Sequence, residues 1–523
     1  MKNTTKASGD LILSIDAGTQ SIRAALIDTS GTIVHIVKTQ IEPYFSEHPG
    51  WAEQRPEYYW RMLCASCQGL MKKAGKARER IAAVTLTTQR ATMINVDANG
   101  KPLRPAIIWL DQRKADASAI IPSAARPLLR AVKLHDRVQG VVENCESNWI
   151  RQNQPEIWEK THKYLLLSGF FTYMLTGEFA DSTGSNVGYL PNDKKTYQWA
   201  GKFDLKWRLF PIEREKLPRL VGPSEELGRV TKGASRDTGI PAGLPVFAAG
   251  TDKGCEILGG GTLTPDIGCL SFGTTATYNT VTDKYIELLP MIPPYPASTP
   301  ASFYTEVMVY RGFWMVSWFR EEFGLMEKQL AAKKKVAPEK LFDALIEKTP
   351  AGSMGLMLQP YWSPGVSTDP YAKGSIIGFG DVHNRALLYR SILEGLIYAL
   401  REGAEHTMKK TKISVTRLRV SGGGSQSDMA MRITADIFGL PAERPHTYET
   451  SALGAAIDAA VGLGLFPDFA SAVKAMTRVR DVFEPIPANR RLYDDLYNKV
   501  YLDIYPRLKP LFKRIRDITG YPE

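Results

Sequence analysis

The sequence predicts an α/β protein of two large domains that share a duplicated anion-binding device. Three observations predict it. The chain has 523 residues, more than a single hydrophobic core holds. Ile15-Asp16-Ala17-Gly18-Thr19 and Ser271-Phe272-Gly273-Thr274-Thr275 each follow one apolar run and precede another, so each reads as a hairpin turn. Such a turn aims successive N–H groups and a hydroxyl at one place, and its glycine lets a phosphate approach the backbone. Between the two turns, Ala249-Gly250-Thr251-Asp252-Lys253-Gly254 exposes an isolated carboxylate. Two anion turns with a carboxylate between them form the pattern of an ATP-dependent phosphotransferase whose halves grip one nucleotide.

The elements follow in order. Residues 11–15, 22–27 and 33–37 are apolar runs separated by short turns, an antiparallel meander with the first anion turn at its tip. Pro56 opens a helix reaching residue 73, with Tyr59, Met62 and Leu63 on one face. A β region spans 81–96 and ends at Asp97-Ala98-Asn99-Gly100; helical patterns cover 113–134 and 158–175. Residues 178–240 read as irregular, with Pro211, Pro218 and Pro223. A strand at 244–249 precedes a short helix ended by Gly259-Gly260-Gly261, which places a domain boundary between 1–259 and 260–523. The second half brings a strand at 267–270 before the second turn, an amphipathic helix at 387–408 and a strand at 415–420. Helices then start near 429 and 450, the latter rich enough in Ala and Gly to press against a neighbour.

Composition excludes several classes. Hydrophobic residues make up 44% and charged residues 23%, ordinary for a globular protein. No run approaches the ~18 apolar residues of a membrane span, and Met1-Lys2-Asn3-Thr4-Thr5-Lys6 lacks a signal peptide's apolar stretch. The expectation is therefore a cytoplasmic protein with no membrane partner. Five scattered cysteines argue against a disulfide framework, and Cys64-Ala65-Ser66-Cys67 lies on a predicted helix with no second ligand pair. The net charge of +11 is spread along the chain without aromatic interleaving, so no nucleic-acid partner is expected.

The chemistry rests on a few side chains. Asp16 ends a strand beside the first turn, where a carboxylate near a triphosphate needs a divalent cation between them; Mg²⁺ held through water is the reading. Arg23, on the next strand, reaches back toward the phosphates. Asp252 is the candidate general base, since transfer to an alcohol needs a proton acceptor at the attacking hydroxyl. Lys253 beside it keeps that carboxylate ionised or contacts the acceptor. Gly422-Gly423-Gly424-Ser425-Gln426-Ser427 lies between a strand and a helix, where an adenine ring can rest on the backbone; it lacks the Gly-Lys-Ser/Thr ending of a P-loop.

Assembled, these blocks resemble the FGGY carbohydrate kinases, the group that includes glycerol kinase, xylulokinase, ribulokinase, gluconate kinase and autoinducer-2 kinase. The likeness runs from about residue 10 to 500. It is carried by Ser14 through Arg23, by Pro49-Gly50-Trp51-Ala52-Glu53-Gln54-Arg55-Pro56 and by Ala106-Ile107-Ile108-Trp109-Leu110-Asp111-Gln112-Arg113. Gly250-Thr251-Asp252, Ser271-Phe272-Gly273-Thr274 and the Gly422 to Ser427 segment complete it. The resemblance implies two actin-like (ribonuclease H-like) ATPase domains with a central cleft, taking MgATP and a small sugar or polyol. It implies Asp252 as base, with Asp16 and Asp252 near Mg²⁺. Gly18, Thr19, Gln20, Arg23, Gly273 and Thr274 fall at the phosphates, and Gly312, Gly422, Gly423, Gly424 and Ser427 at the nucleotide. Family members are often homodimers.

Departures cluster where the acceptor binds. Gln89 and Arg90 match glycerol kinases, but Ala91 stands where those have a Glu and xylulokinases a His. Lys253 replaces a neutral residue, Ser168-Gly169-Phe170 lacks a frequent acidic residue, and Ser363-Pro364-Gly365 replaces Gly-Glu-Arg. Gln89, Arg90, Ala91, Asp252 and Lys253 are thus the acceptor candidates. A ketose such as a xylulose-like pentulose is favoured over glycerol, because alanine removes glycerol's carboxylate contact; the extra charge of Lys253 points toward an acidic or phosphorylated sugar. A glycerol kinase-like enzyme, a non-catalytic sugar sensor of the same fold and an actin-like filament protein are the alternatives.

Overall fold

The computed structural model describes residues 10–132, 134–290, 292–336, 338–362 and 372–521. The first residues of the chain and the Ser363-Pro364-Gly365 departure lie outside them. The chain forms two compact units that do not follow a single cut in the sequence. One comprises Met1–Gly261, Asp283–Tyr304 and Thr450–Thr477; the other comprises Thr262–Thr282, Thr305–Glu449 and Arg478–Glu523.

In the first unit the meander forms as the sequence predicts. Leu11–Ala17 pairs antiparallel with Ser21–Asp28, which pairs antiparallel with Ile33–Gln40. Ile81–Thr88 and then Pro245–Phe247 add in parallel on the other side, and Glu226–Arg229 closes that edge antiparallel. Every residue of Leu11–Ala17 is buried, because both faces of the sheet are covered. Alternation divides the strand's work. Leu11, Leu13, Ile15 and Ala17 pack with Tyr59, Leu63 and Leu70 of the helix Pro56–Ala74 and with Phe170 and Phe171. Ser14 faces the opposite way and donates to the Ala452 carbonyl at 2.7 Å, so the helix Thr450–Gly462 covers that second face. Asp16 shares the Ser14 face.

The second unit repeats the order. Phe303–Val309, Ala276–Thr282, Ile267–Phe272, Arg417–Ser421, Ala442–Pro445 and Val479–Phe483 lie side by side. Again a hairpin leads into two parallel neighbours and an antiparallel edge. The sheets differ in one respect: the antiparallel edge strand precedes its parallel neighbour in sequence in the first unit and follows it in the second. Shared strand order is the structural counterpart of the duplicated turns.

Three expected elements form differently. The β region 81–96 is two strands, Ile81–Thr88 and Met93–Val96, separated at Ala91 by a positive φ of 46°. Residues 113–134 are not one helix; Ala117–Ala119 and Ser123–Ala125 are short 3₁₀ turns and only Arg126–Ala131 is α-helical, with Pro122 and Pro127 breaking the pattern. The pattern 158–175 divides into Pro155–Lys160, the strand Lys163–Leu166 and the helix Leu167–Thr176. That strand joins a small sheet with Glu53–Gln54, Ala106–Ile107 and Met93–Val96. Tyr164 and Leu166 face one core with Met93 and Ile107, while Leu165 faces another with Ile94 and Ala106. A strand buried on both faces reads as a continuous apolar run, which periodicity does not separate from a helix.

Candidate functional site

The first turn is braced from within its own unit. Gly18 N–H donates to the Ser21 carbonyl at 3.1 Å, closing the hairpin. Asp16 pairs in register with Arg23, and the guanidinium reaches its carboxylate at 2.9 Å. Thr19 Oγ1 donates to Gln89 Oε1 at 2.8 Å and accepts from Trp109 Nε1 at 3.1 Å. Gln89 Nε2 in turn donates to the Tyr59 hydroxyl at 3.0 Å. Gln89, assigned to the acceptor by the sequence, therefore has both amide atoms engaged in holding the turn. Gln20 is exposed at its rim.

Asp252 opens the helix Asp252–Gly259, and Thr251 caps it by accepting from Gly254 N–H. One Asp252 oxygen accepts from Lys253 N–H at 2.8 Å. The surrounding protein desolvates this carboxyl and pushes its pKa up from 3.8 to about 6, against the pull of Arg90 and Lys253 and with Asp16 adding to the rise. Asp16 thus acts electrostatically on Asp252. The Arg90 guanidinium lies 4.8 Å from the centre of the Tyr295 ring. Ala91 N–H donates to the Val187 carbonyl at 3.1 Å. The Lys253 ammonium sits 2.6 Å from the Glu256 carboxylate, both side chains largely buried. The Lys253 charge thus has a carboxylate partner within its own helix.

Sequence reasoning missed the layer behind the base. Gly250 N–H donates to Ser298 Oγ at 2.9 Å, and Ser298 Oγ donates to Asp458 Oδ2 at 2.5 Å. Asp458 is fully buried in the helix Thr450–Gly462, and burial pushes its pKa up. An Asp amid the Ala-rich Ala455-Ala456-Ile457-Asp458-Ala459-Ala460 run is the signal that was available. The Trp51-to-Pro56 and Trp109-to-Arg113 blocks also meet. Arg113 contacts Glu53 at 2.9 Å and Asp111 at 2.7 Å and covers the Trp51 ring at 3.9 Å, and Arg104 pairs with Glu53. They form a buried ion-pair cluster. The Cys64 and Cys67 thiols are free and buried on their helix, as expected of packing residues.

In the second unit the remaining candidates converge. Gly273 and Thr274 carbonyls accept from Phe313 and Trp314 N–H groups at 3.0 and 3.4 Å, and a Cβ on Gly312 would meet Ala276 N at 2.2 Å. Gly422 has φ of 82° and lies against the Phe272 backbone; a Cβ on Gly424 would meet the Phe313 ring at 2.4 Å. Gly423 differs, since a Cβ there meets nothing within 4 Å. Ser427 caps the helix Asp428–Phe438 through Ala430 N–H and donates to Asp343 Oδ1 at 2.5 Å. Two glycines of this loop are required by packing and one is not. Among the described residues no group of three His, Cys, Asp or Glu is placed to hold a metal ion, and no helix is long and apolar enough to cross a membrane.

Residues 11–259 match the N-terminal domain, and residues 268–463 the C-terminal domain, of the FGGY family of carbohydrate kinases. Uncharacterized sugar kinase YgcE of Escherichia coli is 31% identical over 518 residues, covering 97% of this chain and 96% of that protein. Xylulose kinase of Staphylococcus epidermidis is 27% identical over 532 residues, covering 98% and 99%. Ligand-bound xylulose kinase from Lactobacillus acidophilus superposes with a TM-score of 0.81 at 21% identity, over 97% of this chain and 99% of that one. Plasmodium falciparum glycerol kinase with ADP gives 0.73 at 20% identity, over 94% and 98%.

Proposed function

The chain belongs to the FGGY family of carbohydrate kinases, is accordingly an ATP-dependent sugar kinase, and from that premise we propose that it phosphorylates a neutral ketose with Asp252 as general base. The observation that carries this reading is the Asp252 carboxyl, raised to about 6 beside Arg90, Lys253 and Asp16. A base with a pKa just below neutrality is ionised at neutral pH and still accepts a proton in the transition state. Ala91 offers no side-chain hydrogen bond, which disfavours glycerol, and Glu256 balances Lys253, which disfavours an acidic sugar.

The nucleotide assignments follow the same logic. Gly18, Thr19, Gln20, Arg23, Gly273 and Thr274 take the phosphates, and Gly312, Gly422, Gly423, Gly424 and Ser427 the rest of the nucleotide. Two carboxylates, one already paired with Arg23, suit Mg²⁺ held through water and phosphate oxygens better than an all-protein cage, so Asp16 and Asp252 would hold it. When bound, the ion supplies charge neutralisation at the transferring phosphate. The five free, buried cysteines accord with a cytoplasmic enzyme.

A coupled ADP-release assay over pentuloses, hexuloses, polyols and sugar acids tests the proposal. Turnover of a ketose supports it; ATP binding without turnover of any sugar would leave a sensor of the same fold, and turnover restricted to glycerol or sugar acids would overturn the acceptor class. Gly423→Ala tests the nucleotide site. Its Cβ meets no protein atom, so the melting temperature is expected to stay unchanged. The KM for ATP is expected to rise about tenfold, the cost of one displaced contact. Gly424→Ala, which meets the Phe313 ring, is expected to lower the melting temperature instead.

A further inference from the structure

Asn186 is 3% exposed, and neither its amide nitrogen nor its amide oxygen has a hydrogen-bond partner among the described residues. Folded proteins rarely leave both ends of a buried amide unmatched, and such a group usually serves a ligand or an ordered water. Its place in the chain says which ligand. The turn Thr183–Ser185 just before it is stitched to the segment that leads into the base: Thr251 N–H donates to the Gly184 carbonyl at 3.2 Å, and Ser185 Oγ donates to the Ala249 carbonyl at 3.1 Å. Just after it, the Val187 carbonyl receives the Ala91 N–H. The strand Tyr295–Pro296, whose tyrosine lies under Arg90, packs on the same turn. Asn186 is therefore fixed on both sides to the backbone carrying Asp252 and Ala91. Its own carbonyl is held by Asn192 Nδ2 at 3.0 Å, and Asn192 Oδ1 is a second buried acceptor without a partner among the described residues.

We propose that Asn186 is a specificity-determining residue that binds the sugar acceptor, its amide matching a hydroxyl or carbonyl of a neutral polyhydroxylated molecule. The inference rests on the kinase reading above and refines its acceptor site. An uncharged amide donates one hydrogen bond and accepts another, which is what a hydroxyl beside a ketone presents. Ala91 makes no such bond, so recognition moves one segment over, to the side chain fastened to it.

The test uses the purified full-length protein, its near-isosteric Asn186→Leu variant and Asn186→Asp, which keeps the acceptor and loses the donor. Binding of D-xylulose, D-ribulose, glycerol and gluconate in the presence of ADP is measured by titration calorimetry, alongside turnover and melting temperature. The expected result is that a neutral ketose binds the wild type and that Asn186→Leu weakens it about tenfold or more. The KM for ATP stays within about twofold and the melting temperature is unchanged or higher, since a buried amide without a partner has been removed. Equal acceptor affinity in wild type and both variants, or a parallel loss of both KM values with a falling melting temperature, would overturn the proposal and leave a water-filled packing role. A wild type that binds none of the neutral probes overturns it as well. A wild type that binds a ketose but transfers no phosphate sinks the kinase reading alone, and the binding ratio still decides Asn186.

Discussion

Replacing Asp252 by Asn is expected to lower kcat by about 10²–10⁴-fold, the contribution of a positioned general base. Asparagine keeps the shape and can still accept from Lys253 N–H, but it cannot take the acceptor's proton. Stability separates this outcome from misfolding. A carboxyl whose pKa is raised on folding contributes stability below its ordinary value of 3.8 and loses it as pH rises through about 6. At neutral pH the ionised Asp252 is therefore a cost, and the variant's melting temperature should equal or exceed that of the wild type. The same shift sets the acid limb of the wild-type profile, with kcat/KM falling as pH drops through about 6. Unchanged turnover in the variant, or an acid limb near pH 4, would remove Asp252 from the mechanism.

The second large effect is expected at Gly454→Leu. A Cβ at Gly454 would lie 1.9 Å from the Cys255 carbonyl oxygen, and one at Gly259 would lie 2.0 Å from the Thr450 carbonyl oxygen. The helices Asp252–Gly259 and Thr450–Gly462 thus pack backbone against backbone, each supplying a glycine at the crossing. Ordinary overpacking costs about 1–3 kcal/mol. Here the clashing atoms are main-chain atoms of a helix, which cannot rotate aside, so the two helices must separate along with the base they position. A loss above ~3 kcal/mol is expected, read as a melting temperature lowered by roughly 3–5 °C or as insoluble protein. A variant with unchanged melting temperature and activity would show that this contact is loose.

Much of this architecture was legible because it rests on local chemistry. Both hairpin turns, the Pro56 helix, the glycine-terminated helix after Asp252 and the close-packing Ala/Gly helix each follow from a turn residue, a cap or a small-residue run. Tyr164 to Leu166 was not legible, since burial on both faces erases the alternation that marks a strand. Nor were the hydrogen bonds of Gln89, whose partners Thr19 and Tyr59 lie 70 and 30 residues away in sequence. Asp458 presents the same difficulty: its partner Ser298 is 160 residues distant, and only the fold makes them neighbours. Pairings of high sequence separation leave no periodic trace.

The return of Thr450–Thr477 to the first unit carries a consequence for biosynthesis. The face of the opening sheet that bears Ser14 is roofed by the helix Thr450–Gly462, so a nascent chain ending near residue 260 has no cover for it. The sheet face that bears Ser14 is thus completed only once the segment through Thr477 has been added.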